Sequence, residues 1–305
     1  MKIFISKTIL DKVSGPGFYL RVSDAHKIEL RMGRNSLNEP TLRLIGPYEK
    51  KEIKKTNNIS HRYLVNNDQL ILDFSLKNPD FSDLFFYFCD DLIFSSQNVS
   101  IADGHNHILN RYEKWRVFSK NSNEYLSENE IKGLIGELLF LEKCFLLYDS
   151  QTKAINAWTG SEPTKKDFSF EDYWYEIKVS TNRKVNISSL EQLDSHQLGY
   201  LVVNDLEKYS PNHQGITLNN LYERIYNMIE LQSDKSEFLI KLIDAGYYQG
   251  EHYDKFVYEL LDTSFFLVDE KFPKLTKTNI DPRISNASYS IELSNIQEFK
   301  KEIIK

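Results

Sequence analysis

The pattern of apolar and polar positions divides the chain into a β-rich beginning and a mixed α/β remainder. Short alternating runs, Gly17–Val22, Lys27–Met32, Thr41–Ile45, Tyr63–Val65 and Leu70–Phe74, are separated by turn formers at Gly15-Pro16-Gly17, Gly46-Pro47, Asn66-Asn67 and Asn78-Pro79. Period-two alternation bounded by such residues predicts half-buried strands. Phe81 to Phe94 is densely aromatic and predicts core. These residues are expected to form one domain over 1–98 and the rest another over 99–305.

From residue 101 the period changes. Ile108, Leu109, Tyr112, Trp115 and Phe118 recur at helical spacing and predict a helix over 101–118. Ser127 followed by Glu130 is a capping box, with Leu126 and Ile131 placed as its hydrophobic staple. The helix it starts is densely apolar to about Leu147, yet Glu137 lies inside the run. Its helical neighbours are Gly133, Leu134, Phe140 and Leu141, so its carboxylate is set on the apolar stripe, where a lone charge is costly unless paired or metal-bound. Further on, a strand near Ala154–Trp158, a short helix over 186–194, a buried strand at Gly199–Val203, helices near Leu218–Leu231 and Ser236–Ala245, strands near Val257–Val268 and Ala287–Leu293, and a last capped helix from Ser294 are expected.

The most informative stretch is Lys165 to Ser180, KKDFSFEDYWYEIKVS. Apolar side chains alternate through Phe168, Phe170, Tyr173, Tyr175, Ile177 and Val179, interrupted by Glu171-Asp172. This is the signature of a hairpin turning at the polar pair, and it sets Phe168 across from Tyr175 and Asp167 across from Glu176. Lys178 shares the polar face with both acids. Like charges directly opposed on a sheet are destabilising, and a divalent cation between them removes the conflict. Glu-x-Lys by itself is a common string, found here also at Glu52-Ile53-Lys54, Glu130-Ile131-Lys132 and Glu298-Phe299-Lys300. The opposed Asp167 and the buried Glu137 are what give Glu176-Ile177-Lys178 weight.

Composition narrows the function. Of 305 residues, 41% are hydrophobic and 27% charged, a globular balance. Cys89 and Cys144 are too few for a disulfide framework and too isolated for a zinc knuckle. There is neither a signal-peptide h-region nor a run of membrane-spanning length, so a cytoplasmic protein without a membrane partner is expected. No Gly-rich phosphate loop is present, which argues against ATP use by this chain. Net charge is −6, but residues 1–125 hold 18 Lys and Arg against 15 Asp and Glu. Any nucleic-acid contact must therefore come from local patches. Lys50, Lys51, Lys54 and Lys55 read first as a solvated loop. His105 and His107 lack a third ligand of fixed spacing; a metal hydrolase built on them is the weakest reading.

Taken together, the helix Glu137 in Gly133-Leu-Ile-Gly-Glu137, the strand Asp in Lys166-Asp167-Phe168, and Glu176-Ile177-Lys178 resemble the active site of the PD-(D/E)XK nuclease superfamily. The Trp115 helix, Trp158-Thr-Gly, Ile187-Ser-Ser-Leu-Glu-Gln192 and Phe272-Pro273 resemble one family within it, encoded beside restriction-modification and phage-defence genes. The resemblance implies a restriction-endonuclease-like α/β (α+β) fold, a central mixed sheet flanked by helices, with its catalytic core near 127–203 and an α+β extension over 206–305. It implies Mg²⁺ or Mn²⁺ held by Asp167, Glu176 and Glu137, with Lys178 orienting or deprotonating the attacking water. The residue before Asp167 is Lys where the superfamily motif has Pro. Lys165, Lys166, Arg183 and Lys184 are candidate phosphate contacts, and Ser180, Ser189 and Gln192 candidate wall residues. The expected function is metal-dependent DNA cleavage, with partner subunits such as an ATPase or methyltransferase of a defence operon, and a homodimer as a further expectation. The rival is a catalytically silent DNA-binding or scaffolding subunit.

Overall fold

A computed structural model describes residues 4–56, 58–115, 125–148, 150–159 and 166–302. The chain forms two compact units, residues 1–124 with 231–244, and residues 125–230 with 245–305.

In the first unit a short helix, α1 (Ile5–Leu10), precedes five strands: β1 (Tyr19–Arg21), β2 (Glu29–Arg34), β3 (Pro40–Gly46), β4 (Ile59–Asn66) and β5 (Gln69–Leu76). They form one antiparallel sheet in the order β1-β2-β3-β5-β4. The expected alternation is realised: Leu30, Met32, Leu42, Leu44, Leu72 and Phe74 are buried on one face. The aromatic run 81–94 is a helix, α2 (Ser82–Ser95), and α3 spans Ile101–Trp115. Phe88 and Tyr112 pack their rings on Phe74 at 5.6 and 4.9 Å between centroids. Residues 116–118 of the expected helix lie outside the described residues. The helix Gln232–Asp244 completes this unit.

The second unit is built on α4 (Glu128–Leu147), whose capping box forms as the sequence requires: Ser127 and Glu130 bond reciprocally. After it come α5 (Gln151–Ala157), β6 (Phe168–Ser169), β7 (Trp174–Ser180), β8 (Lys184–Ile187), β9 (Gly199–Tyr209), α6 (Leu218–Met228), β10 (Val257–Val268), β11 (Tyr289–Glu292) and β12 (Lys300–Lys301). The main sheet is mixed, β12-β10-β9-β7-β6, with β7 and β9 parallel and the other pairs antiparallel. A separate antiparallel pair, β8-β11, joins segments a hundred residues apart in the chain.

Three local expectations are corrected. Ala154–Trp158 is not a strand: Ser150 caps a helix through Gln151–Ala157, and only Trp158 bridges to Phe168. Residues 186–194 give the end of β8 and one 3-10 turn, Leu190–Gln192. The last helix is a 3-10 segment, Leu293–Phe299, with no side-chain cap. Among the described residues no helix is long and apolar enough to cross a membrane.

Candidate active site

The β6–β7 hairpin has the register read from its alternation, with Phe168 opposite Tyr175 and Ser169 opposite Trp174. The backbone N–H of Phe170 donates to the Tyr173 carbonyl at 2.9 Å, which places Glu171-Asp172 in the turn. Strand β6 is only two residues long, so beyond Tyr175 the outer edge of β7 has no β6 partner. Asp167 serves that edge instead: its Oδ2 accepts the Ile177 amide at 2.6 Å. The Asp167 carbonyl in turn accepts the Thr159 amide at 2.9 Å.

Helix α4 is brought against β7 by Gly136. A Cβ there would stand 2.8 Å from Val179 Cγ2, and the Gly136 carbonyl accepts the Asn204 side-chain amide at 3.2 Å. The next residue is Glu137. Its Oε2 accepts the indole N–H of buried Trp158 at 2.7 Å, and no arginine among the described residues holds it. Glu137, Asp167 and Lys178 line one cavity of about 420 Å³, together with Lys132, Thr181 and Gln192.

Glu176 departs from expectation. It lies on the face read as polar from the hairpin's alternation, yet its side chain is only 1% exposed. It shares its face of the strand with Trp174, and the neighbouring Leu201 and Val203 of β9 are buried there in a cluster with Val185, Ile187 and Ile291. The β8-β11 pair supplies those last three side chains and covers the face. Glu176 Oε1 accepts from Lys178 Nζ at 2.8 Å, while Oε2 is buried with no hydrogen-bond partner among the described residues.

The electrostatics follow from this enclosure. Burial, and then the charge of Asp167, push the Glu176 carboxyl up to about 7. The same two causes raise Glu137 to about 8, against the opposing pull of the Trp158 hydrogen bond. Asp167 is raised by burial, with Lys178 and the Ile177 amide working the other way. Burial disfavours the Lys178 ammonium, but Glu176 and Asp167 outweigh it and hold its pKa above the ordinary lysine value. The three acids and the lysine therefore sense one another, although they come from three places in the chain: α4, the residue before β6, and β7.

As they stand, no three His, Cys, Asp or Glu side chains among the described residues gather closely enough to ligate one ion by themselves. Each acid is instead met by a local donor: indole, backbone amide or ammonium. The donor set still suits Mg²⁺ in kind. It is all carboxylate oxygen, it includes one buried oxygen without a partner among the described residues, and Mg²⁺ takes one or two carboxylates and fills its remaining positions with water and phosphate oxygens.

The candidate contact residues are distributed unevenly. Gln192 lines the cavity, its Oε1 accepting the Ser188 amide at 2.8 Å. Lys166 points elsewhere: its ammonium donates to the carbonyls of Glu191 and Asp194 and stands 4.3 Å from the Trp174 ring centroid, and burial lowers it to about 8. Ser180 is buried with its hydroxyl unpartnered among the described residues. Arg183 and Lys184 lie exposed before and on β8, Lys184 paired with Glu292 at 2.6 Å, and Ser189 precedes the 3-10 turn. Lys165 lies outside the described residues. The histidines stand in the other unit and each has a local partner: His105 meets the Tyr63 hydroxyl and His107 the Ser95 hydroxyl, both at 3.0 Å. The residue that sequence reasoning missed is Trp158. Its place in the Trp-Thr-Gly pattern was visible, but its hold on Glu137 is a contact through space.

A family model described as "Putative PD-(D/E)XK family member (DUF4420)" matches residues 14–294. The chain belongs to that family. No curated protein and no solved structure gave a match. Membership accords with the mixed sheet and the helix α4 packed on it, a restriction-endonuclease-like arrangement. Glu176-Ile177-Lys178 lies on β7, beside the middle strand β9 of that sheet.

Proposed function

We propose that this chain is a metal-dependent nuclease hydrolysing phosphodiester bonds in DNA, within a cytoplasmic restriction or phage-defence system that supplies partner subunits. The observation that carries the reading is the shared environment of Glu137, Asp167, Glu176 and Lys178, with a buried Glu176 oxygen that has no partner among the described residues.

In this reading Asp167 and Glu176 hold Mg²⁺ or Mn²⁺ and Glu137 completes the site. The cation, when bound, supplies Lewis acidity at a phosphate oxygen and lowers the pKa of a coordinated water. Lys178, kept charged by its acidic neighbours, orients the attacking water and offsets charge developing on the phosphate. Trp158 fixes the position of Glu137, and the Ile177 amide fixes that of Asp167. Gln192 offers an amide donor at the cavity wall for a phosphate oxygen.

One observation favours the silent-subunit alternative: all three acids already have local donors and do not converge as a ligand set. Cleavage decides between them. Purified protein, alone and with its operon partners, is incubated with plasmid and Mg²⁺ or Mn²⁺. Nicking or cutting is expected, and it is lost in Asp167→Ala and Lys178→Ala proteins that keep the wild-type melting curve. A folded wild type that never cuts, with Asp167→Ala retaining the full cellular phenotype, would establish the silent role.

A further inference from the structure

The sheet of the first unit carries an arrangement that its folding does not require. Arg21 of β1 lies directly opposite Arg31 of β2, and Arg31 opposite Arg43 of β3. Arg43 lies opposite Asp73 of β5, and Asp73 opposite Arg62 of β4. One transverse row thus reads Arg-Arg-Arg-Asp-Arg across all five strands, about 19 Å at the usual strand spacing. The alternation of the strands puts the row on the face opposite Leu30, Met32, Leu42, Leu72 and Phe74, the positions that make the core.

The row is open: the side chains of Arg21 and Arg31 are 42% and 41% exposed, and Arg62 is exposed as well. Arg43 is the anchor. It is 18% exposed, grips buried Asp73 with two hydrogen bonds of 2.7 and 2.9 Å, and lies 3.7 Å over the Tyr19 ring. Among the described residues the acids that meet the row are Asp73, spent on Arg43; Glu29, 2.7 Å from Arg31; and Asp24 in the following loop, 3.7 Å from Arg21; Glu39 lies farther along the same face, bonded to Asn35. Within the row itself four guanidinium groups stand against one carboxylate, Asp73. Like charges opposed on neighbouring strands cost stability, and three consecutive arginines in register repeat that cost, which Asp24, Glu29 and Asp73 offset in part. A polyanion lying along the row removes what is left. The planar guanidinium fork matches phosphate oxygens better than lysine does.

We infer that this sheet face seats the phosphate backbone of duplex DNA along Arg21, Arg31, Arg43 and Arg62; the choice of DNA rests on the nuclease reading above. The row gives a chain of net charge −6 the local basic surface that DNA contact demands.

The test uses the full chain in EDTA, so that cleavage cannot intervene, and a fluorescein-labelled duplex of about 30 bp read by anisotropy across a salt series. The variant is Arg21→Ala/Arg31→Ala/Arg62→Ala; Arg43 is kept because its loss would strand buried Asp73. Relative to wild type, affinity at about 100 mM salt is expected to fall tenfold or more, and the salt slope by about 2 to 3, with the melting curve retained. Unchanged affinity and slope would overturn the inference. So would failure of the wild type to bind duplex at about 50 mM salt, or displacement by polyglutamate as effective per charge as by DNA. The catalytic reading is separable. If the triple variant binds like wild type while cleavage still depends on Asp167, the row falls and the active site stands. If the triple variant loses binding and Asp167→Ala does not, the row stands whatever the cleavage assay returns.

Discussion

Replacing Glu176 by glutamine should remove a specific pH dependence of stability. The Glu176 carboxyl sits near 7 in the folded chain, against an ordinary value of 4.5. The folded state therefore holds this proton more tightly than the unfolded state. The stabilisation is fully present below about pH 4.5 and is lost as pH rises through about 7. The difference of 2.5 pH units corresponds to about 3 kcal/mol, undiluted by solvent because the side chain is 1% exposed. Glutamine cannot ionise, so Glu176→Gln lacks the loss. Urea unfolding of both proteins in EDTA, from pH 4.5 to pH 8.5, reads it directly. The variant should gain on wild type by about 3 kcal/mol across that range, whatever fixed offset separates them at low pH. A difference that stays constant within about 0.5 kcal/mol would show that Glu176 ionises freely in the fold, and the argument from its enclosure would fail.

Two further substitutions probe how the acids are placed. Gly136→Ala sets a methyl 2.8 Å from Val179 Cγ2, so either the Val179 side chain or α4 must shift; overpacking of this kind costs about 1–3 kcal/mol, and because Glu137 is the next residue a shift of α4 should reduce cleavage as well. Trp158→Phe keeps an aromatic ring in the core but deletes the N–H held by Glu137 at 2.7 Å. Without that donor the Glu137 carboxyl rises further, and the acidic limb of the cleavage pH profile should move to higher pH; an unmoved profile would separate Trp158 from the site.

Much of the site was legible because it is local in sequence. The Phe168–Tyr175 register follows from alternation broken by two polar residues, and the α4 start from Ser127 and Glu130. Glu137 betrayed itself as a carboxylate on an apolar stripe. The rest depends on pairings that short-range pattern does not carry. Glu176 is buried because β8 and β11, far apart in the chain, pair and fold over its face. Ala154 to Trp158 is apolar at both two-residue and four-residue spacing, and the Ser150 cap decides for helix. The return of residues 231–244 to the first unit is likewise a tertiary event with no local signal. The arginine row lies in plain view as five residues in five strands, but only the register shows that they form a line.

The proposed activity needs a single cation to draw together acids that are protonated or locally bonded in its absence. Calorimetric titration of the apo chain with Mn²⁺ at about pH 7.5, repeated in buffers of different ionisation enthalpy, measures both binding and the protons released. Saturable binding with proton release is expected in wild type, with both abolished in Asp167→Ala/Glu176→Gln. Binding that persists unchanged in that double variant, or no binding by a folded wild type, would contradict the account.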